Sequence, residues 1–198
     1  MLWGGHHRQP PGADTENFAL RGKNVELRKA DATQLPFPDD YFDCVYSFGV
    51  MHHIPEIGKA VAEAYRVLKP GGVLMIALYH KWLAFHIFWK LLAHGLRHGW
   101  LFSKGYDGLL ATIEQGADGV RIKPYVKLYG KQEVRELMAR FSIEDVSVHQ
   151  LESDHFWPAV LAKSIEKVVP RLESRLGWYV ACKARKPATS SASTDGAA

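Results

Sequence analysis

A chain of 198 residues, 47% of them apolar, is long enough to bury one sizeable core and too short for two ordinary domains. Its 25 Lys and Arg are interleaved with 21 Asp and Glu, so the formal charge of +4 is not gathered into a basic arm and argues against a nucleic-acid partner. Only Cys44 and Cys182 occur, in runs that read as buried strands and without a C-x-x-C pair, and no apolar run reaches the roughly 18 residues of a membrane span; a cytoplasmic protein without a disulfide framework is expected.

In chain order, the Gly/Pro/His-rich start gives way to TENFALRG, the end of a helix stopped by Gly22, and to VELR (Val25 to Arg28), a short strand. LPFPDD is a turn. FDCVYSFGV, Phe42 to Val50, is rich in β-branched and aromatic residues and reads as a strand. The helix that follows, from about Glu56 to Leu68, places Ile57, Val61, Ala64 and Leu68 on one face. Lys69, Pro70, Gly71 and Gly72 are expected to end it and to turn the chain into VLMIALY, whose continuous apolar run suits a strand covered on both sides. Strand, helix, Gly-rich turn, strand is the order of a βαβ unit with a right-handed crossover.

Lys81 to Phe102 carries His86, Lys90, His94, Arg97 and His98 three or four apart on an otherwise aromatic and aliphatic helix. A Gly-broken connector follows. KQEVRELMARF (Lys131 to Phe141) is a second amphipathic helix leading into the period-two strand IEDVSVHQL. DHFWPAVLAKSIEKVVPRLESR is helical with a break at Pro170, GWYVACKAR is the last strand, and the polar tail 184–198 is expected to be disordered.

ADATQLPFPDDYFDCVYSFGVMHHIPE followed by AYRVLKPGGVLMIALY resembles the class I S-adenosylmethionine-dependent methyltransferases of the type 11 small-molecule group, without a gap over residues 24 to 79. The resemblance implies an α/β, Rossmann-like sheet with helices on both faces and a cofactor, S-adenosyl-L-methionine, held beyond the carboxyl ends of the strands. It assigns cofactor contacts to Asp31 and Ala32 on the adenine and to Ser47, Phe48 and Gly49 beside the methionine part. A carboxylate suits an amino donor because it only accepts hydrogen bonds, although an aspartate in this context also initiates turns. The resemblance places His53 near the reacting methyl group, where it is either the general base or a shaping residue of the acceptor pocket. His52, Tyr79 and His80 are further pocket candidates, for which packing or loop roles compete. No third and fourth ligand stands at zinc spacing, so no metal is expected.

Residues 82–102 lie where this family covers its substrates. They suit an ordinary cap helix, a cover over a lipophilic methyl acceptor, or a peripheral membrane contact through the cationic stripe. The family's glycine loop and ribose-binding acid are not found, so the resemblance enters at about Glu16 and the first strand is missing. The expected organisation is an atypical segment 1–15, a truncated methyltransferase domain 16–183 with a helical insertion at about 81–130, and the tail. Read one base later, the codons of Trp3 to Thr15 can encode GVDITASLRVLTR, similar to the family's second strand, which points to a shifted reading frame. Weak cofactor affinity follows as an expectation. Two other functions stay open: a non-catalytic partner module, and a nicotinamide-dependent enzyme, which would need its own glycine fingerprint.

Overall fold

The computed structural model describes residues 22, 28–82, 96, 99, 102, 103, 105, 125–151 and 169–188. The segment 1–15, the strand from Val25, most of the insertion, the helix before Pro170 and the end of the tail therefore lie outside the described residues, and so does the cationic stripe of the 82–102 segment.

The chain runs β1 (Phe42–Phe48), a single 3-10 turn (Met51–His53), α1 (Ile57–Val67), β2 (Leu68–Tyr79), α2 (Lys131–Leu137), β3 (Ser142–His149), α3 (Val169–Leu176) and β4 (Tyr179–Arg185). The four strands form one sheet in the order β1-β2-β4-β3. β1 and β2 are parallel and joined through α1, which is the expected βαβ unit, while β4 runs antiparallel to both β2 and β3. The sheet is therefore mixed.

One face of the sheet holds the core. Val45, Leu74, Ile76, Leu78, Val148, Val180, Cys182 and Ala184 alternate along the strands and meet Ala60, Val61, Ala64 and Val67 of α1, Val134 of α2 and Met138 just after it. In α1 these apolar residues recur at three and four, and the period buries one stripe. The opposite face carries Tyr46 and Met75, paired in register, at 65% and 36% exposure, with Cys44 exposed in the same alternation. The expectation that Cys44 is buried is corrected here, whereas Ala77 and Tyr79, further along the same row of β2, are buried. A strand's side chains alternate, so packing α1 and α2 on one face leaves the other row dependent on a separate layer.

Two boundaries differ from the sequence-based expectation. The first helix ends at Val67, because Leu68 already has extended backbone (φ −77°, ψ 136°); the Lys-Pro-Gly-Gly stretch is thus not its stop. Instead it bulges out between the pairs Phe42–Leu68 and Cys44–Val73, with Gly71 at φ +79° and a side chain at Gly72 excluded by the Lys69 carbonyl, 2.8 Å from where a Cβ would stand. α2 stops at Leu137 rather than Phe141, and its start is held by the Glu133 carboxylate, which accepts the Gly130 N–H at 2.7 Å. Pro170 is the second residue of α3 as described, and the helical segment expected before it lies outside the described residues. Among the described residues no helix is long and apolar enough to cross a membrane.

Candidate functional site

Parallel pairing sets the carboxyl ends of β1 and β2 side by side, with Phe48 opposite Ala77. The chain leaves β1 through Gly49, whose φ of +69° is a left-handed conformation that costs glycine least. Its N–H donates to the Ala77 carbonyl at 3.1 Å, which ties the turn to β2. The chain then closes the 3-10 turn Met51–His53, delivering both histidines beside the end of β2, where Tyr79 and His80 lie.

The sequence candidates Phe48, Gly49, His52, His53, Tyr79 and His80 are thereby brought into one neighbourhood. His52 stacks on Tyr79 with ring centroids 3.8 Å apart, and the His53 ring lies 4.1 Å from that of His52. His52 is wholly buried and neither ring nitrogen has a hydrogen-bond partner. Burial, reinforced by the charge of His53, pushes its imidazole down to about 3, so it is neutral at physiological pH. His80 is also buried. Its ring Nδ1 donates to the Gly177 carbonyl at 3.2 Å, and burial lowers its ionisation more than that bond raises it. His53 is only half-buried, and its Nδ1 lies 2.8 Å from the carbonyl oxygen of Tyr125. A carbonyl oxygen only accepts, so this nitrogen carries the proton.

Asp31 and Ala32 stand in a separate turn. Oδ1 of Asp31 accepts the Thr33 N–H at 2.8 Å and the Thr33 hydroxyl at 2.7 Å, and its main-chain carbonyl accepts the Gln34 N–H at 3.0 Å. These bonds hold the exposed carboxyl below its ordinary range, with the Thr33 amide the larger cause. This is an Asx turn. Among the described residues no hydrogen bond or ring contact joins it to the histidine cluster.

Two groups of residues at the cluster were missed. Tyr179 enters from the start of β4, where antiparallel register sets it opposite Tyr79, and Trp178 immediately precedes it. Tyr179 lies 4.6 Å from the Phe48 ring and 5.4 Å from Tyr79, and Trp178 lies 5.8 Å from Tyr79. The second group is Tyr125–Tyr129, which falls in the helical insertion expected at about 81–130; exposed Tyr125 and Lys127 alternate here with buried Val126 and Leu128. The hydroxyl of Tyr129 is buried without a partner, and burial pushes its ionisation up to about 12. No cluster of three metal-binding side chains occurs among the described residues.

The chemistry of this donor set fits part of S-adenosylmethionine. Asp31 retains an uncommitted carboxylate oxygen, and Ser47 and Phe48 at the end of β1 with Gly49 after it offer a hydroxyl, an exposed ring and an unobstructed backbone.

Comparison with known proteins agrees with the fold. A family model described as a methyltransferase domain, of type 11, matches residues 11–76, starting slightly before the expected Glu16. Over 59 residues the chain is 48% identical to the ubiquinone/menaquinone biosynthesis C-methyltransferase UbiE of Proteus mirabilis, a match spanning 29% of this chain and 23% of that protein. The match thus spans about a quarter of this relative's length. The structure is similar to the [4+2]-cyclase SpnF (TM-score 0.52, 20% identity, 88% of this chain and 61% of that one). It is also similar to the 1,6-didemethyltoxoflavin-N1-methyltransferase of Burkholderia thailandensis, solved with its substrate and S-adenosylhomocysteine (TM-score 0.50, 17% identity, 90% of this chain and 58% of that one). The chain carries a type 11 methyltransferase domain segment on the class I S-adenosylmethionine-dependent methyltransferase fold.

Proposed function

We propose that this chain transfers a methyl group from S-adenosyl-L-methionine to a small, lipophilic acceptor, with His53 as the general base. The observation that carries this reading is the half-buried His53, delivered beside the carboxyl end of β2 with its Nδ1 on a carbonyl. Asp31 and Ala32 would hold the adenine, and Ser47, Phe48 and Gly49 the methionine portion. When bound, the cofactor supplies an electrophilic methyl group on a sulfonium. The chain's own task is to hold the acceptor in line, exclude water and take the acceptor's proton at His53 Nε2, while buried Tyr79 and His80 shape the wall. The name of the UbiE relative supports a small, lipophilic acceptor methylated at carbon.

The test is transfer of labelled methyl from S-adenosylmethionine to a panel of phenols, hydroquinones and amines. His53→Asn is expected to lower kcat by about 10²–10⁴-fold if the ring acts as a base. A higher KM at unchanged kcat would leave it a pocket wall. The uncovered row of Tyr46 and Met75 favours a second reading, a non-catalytic module that binds a partner. The likeness to a cyclase is a reminder that this fold hosts more than one chemistry. Absence of both methyl transfer and cofactor binding, with a partner retained on purification, would select that reading.

A further inference from the structure

We propose that Tyr125–Tyr129 is a positioning strap: by accepting the Nδ1–H of His53, the Tyr125 carbonyl selects the tautomer whose Nε2 can receive a proton. The inference rests on the reading of His53 as a base, and it adds that the base is made competent by a segment remote in sequence.

Three features carry it. The first is the bond itself, 2.8 Å between His53 Nδ1 and the Tyr125 oxygen. A neutral imidazole has one N–H, so committing it to a carbonyl leaves the lone pair on the other nitrogen; which nitrogen is protonated is set by the partner of the first. The second is that the strap is bonded at both ends to the cluster it serves. The Lys127 N–H donates to the His52 carbonyl at 3.1 Å, the Tyr129 N–H to the Tyr79 carbonyl at 2.8 Å, and the Lys81 N–H to the Tyr129 carbonyl at 2.9 Å. The carbonyl that orients His53 is therefore only two residues from a main-chain bond to His53's own neighbour, which limits the freedom of both.

The third is that the middle of the strap has its own packing, whereas Tyr129 at its end belongs to the main core. Val126 and Leu128 form with Tyr79 a small buried cluster, flanked by Trp178 and Tyr179, that is distinct from the main core of the sheet. Loosening the strap therefore need not unfold the sheet. Packing of this kind also differs from a plain structural loop in what it predicts: its loss should change the protonation pattern of one ring.

The experiment uses the full chain with 15N-labelled histidine and reads long-range ring nitrogen-to-proton correlations, which identify the tautomer without cofactor or substrate. The wild-type chain is expected to show His53 as the Nδ1–H form. Leu128→Ala, which loosens the strap, and Lys127→Pro, which removes its N–H to His52, are expected to shift His53 toward a mixture with the Nε2–H form and to lower kcat toward that of His53→Asn. Lys127→Ala keeps the N–H and should leave the tautomer unchanged. An Nε2–H His53 in the wild-type chain, or Nδ1–H retained in a folded strap variant, overturns the strap. If the tautomer responds as stated but His53→Asn leaves the methyl-transfer rate unchanged, the strap stands and the base reading falls. Should Lys127→Pro fail to fold, Leu128→Ala and the wild-type spectrum decide alone.

Discussion

His52 lies nearly flat on Tyr79, with ring centroids 3.8 Å apart and planes 27° apart, and it is buried with both ring nitrogens unbonded. The stack contributes contact area, but each unpaired polar atom in the interior opposes it. Its folded-state ionisation is depressed from 6.5 to about 3, chiefly by burial. Between those limits the unfolded chain binds a proton that the folded chain does not, so this contribution to stability is complete above 6.5 and is lost as the pH falls. The slope is at most about 1.4 kcal/mol per pH unit. Urea denaturation of wild type and His52→Phe across this window checks it. The phenylalanine variant is expected to be more stable by about 1–2 kcal/mol near neutral pH, because no nitrogen is left unpaired, and to show a flatter profile. An equal slope in both proteins would assign the acid sensitivity to other groups.

Asp31 uses one carboxylate oxygen for the turn with Thr33 and leaves the other uncommitted. Asp31→Asn keeps the acceptor that the turn needs and replaces the second oxygen with an amide donor, which opposes the amino donor of an adenine. Calorimetric titration with S-adenosylmethionine is expected to show roughly tenfold weaker binding at an unchanged melting temperature. Unaltered affinity would reduce Asp31 to a turn residue.

Arg66 is the fastener between α1 and the chain entering β1. Its guanidinium donates to both oxygens of Glu63 at 2.9 and 2.8 Å, to Asp39 at 2.7 Å, and to the carbonyls of Phe37 and Leu35 at 2.8 and 3.0 Å. Glu63 in turn accepts the Leu35 N–H at 2.8 Å. A planar fork makes these bonds together and a lysine cannot. Arg66→Lys is expected to lower the urea midpoint, with the Leu35 and Phe37 carbonyls left to water. An unchanged midpoint would mean that solvent already screens the network, as at an ordinary surface pair.

The βαβ unit was legible because three local signals agree: the β-rich run from Phe42, the helical period of α1 and the apolar run ending at Tyr79. The last strand was legible for the same reason. What was not legible is instructive. The Lys-Pro-Gly-Gly stretch has the composition of a helix stop, yet its glycines serve a bulge, since the register of β1 against β2 must absorb extra residues there. Cys44 sits in a run as apolar as its neighbours, and only the alternation relative to α1 decides that it faces outward. Within the candidate site the motif residues of β1 and its turn were recognised, whereas Tyr125 and Tyr179 were not. Their contacts to His53 and Tyr79 span 72 and 100 residues of chain, and no local pattern encodes such a pairing.

By itself the sequence determined the parallel strand-helix-strand unit, the turn that carries the two histidines and the resemblance to methyltransferases, because periodicity, turn chemistry and motif spacing are local. Tertiary structure alone decided how the surroundings of the two histidines differ. Burial against Tyr79 silences His52, and a carbonyl from a distant segment assigns the proton on His53. Two adjacent imidazoles with the same intrinsic chemistry are separated by their surroundings, since desolvation and a hydrogen-bond partner act through space.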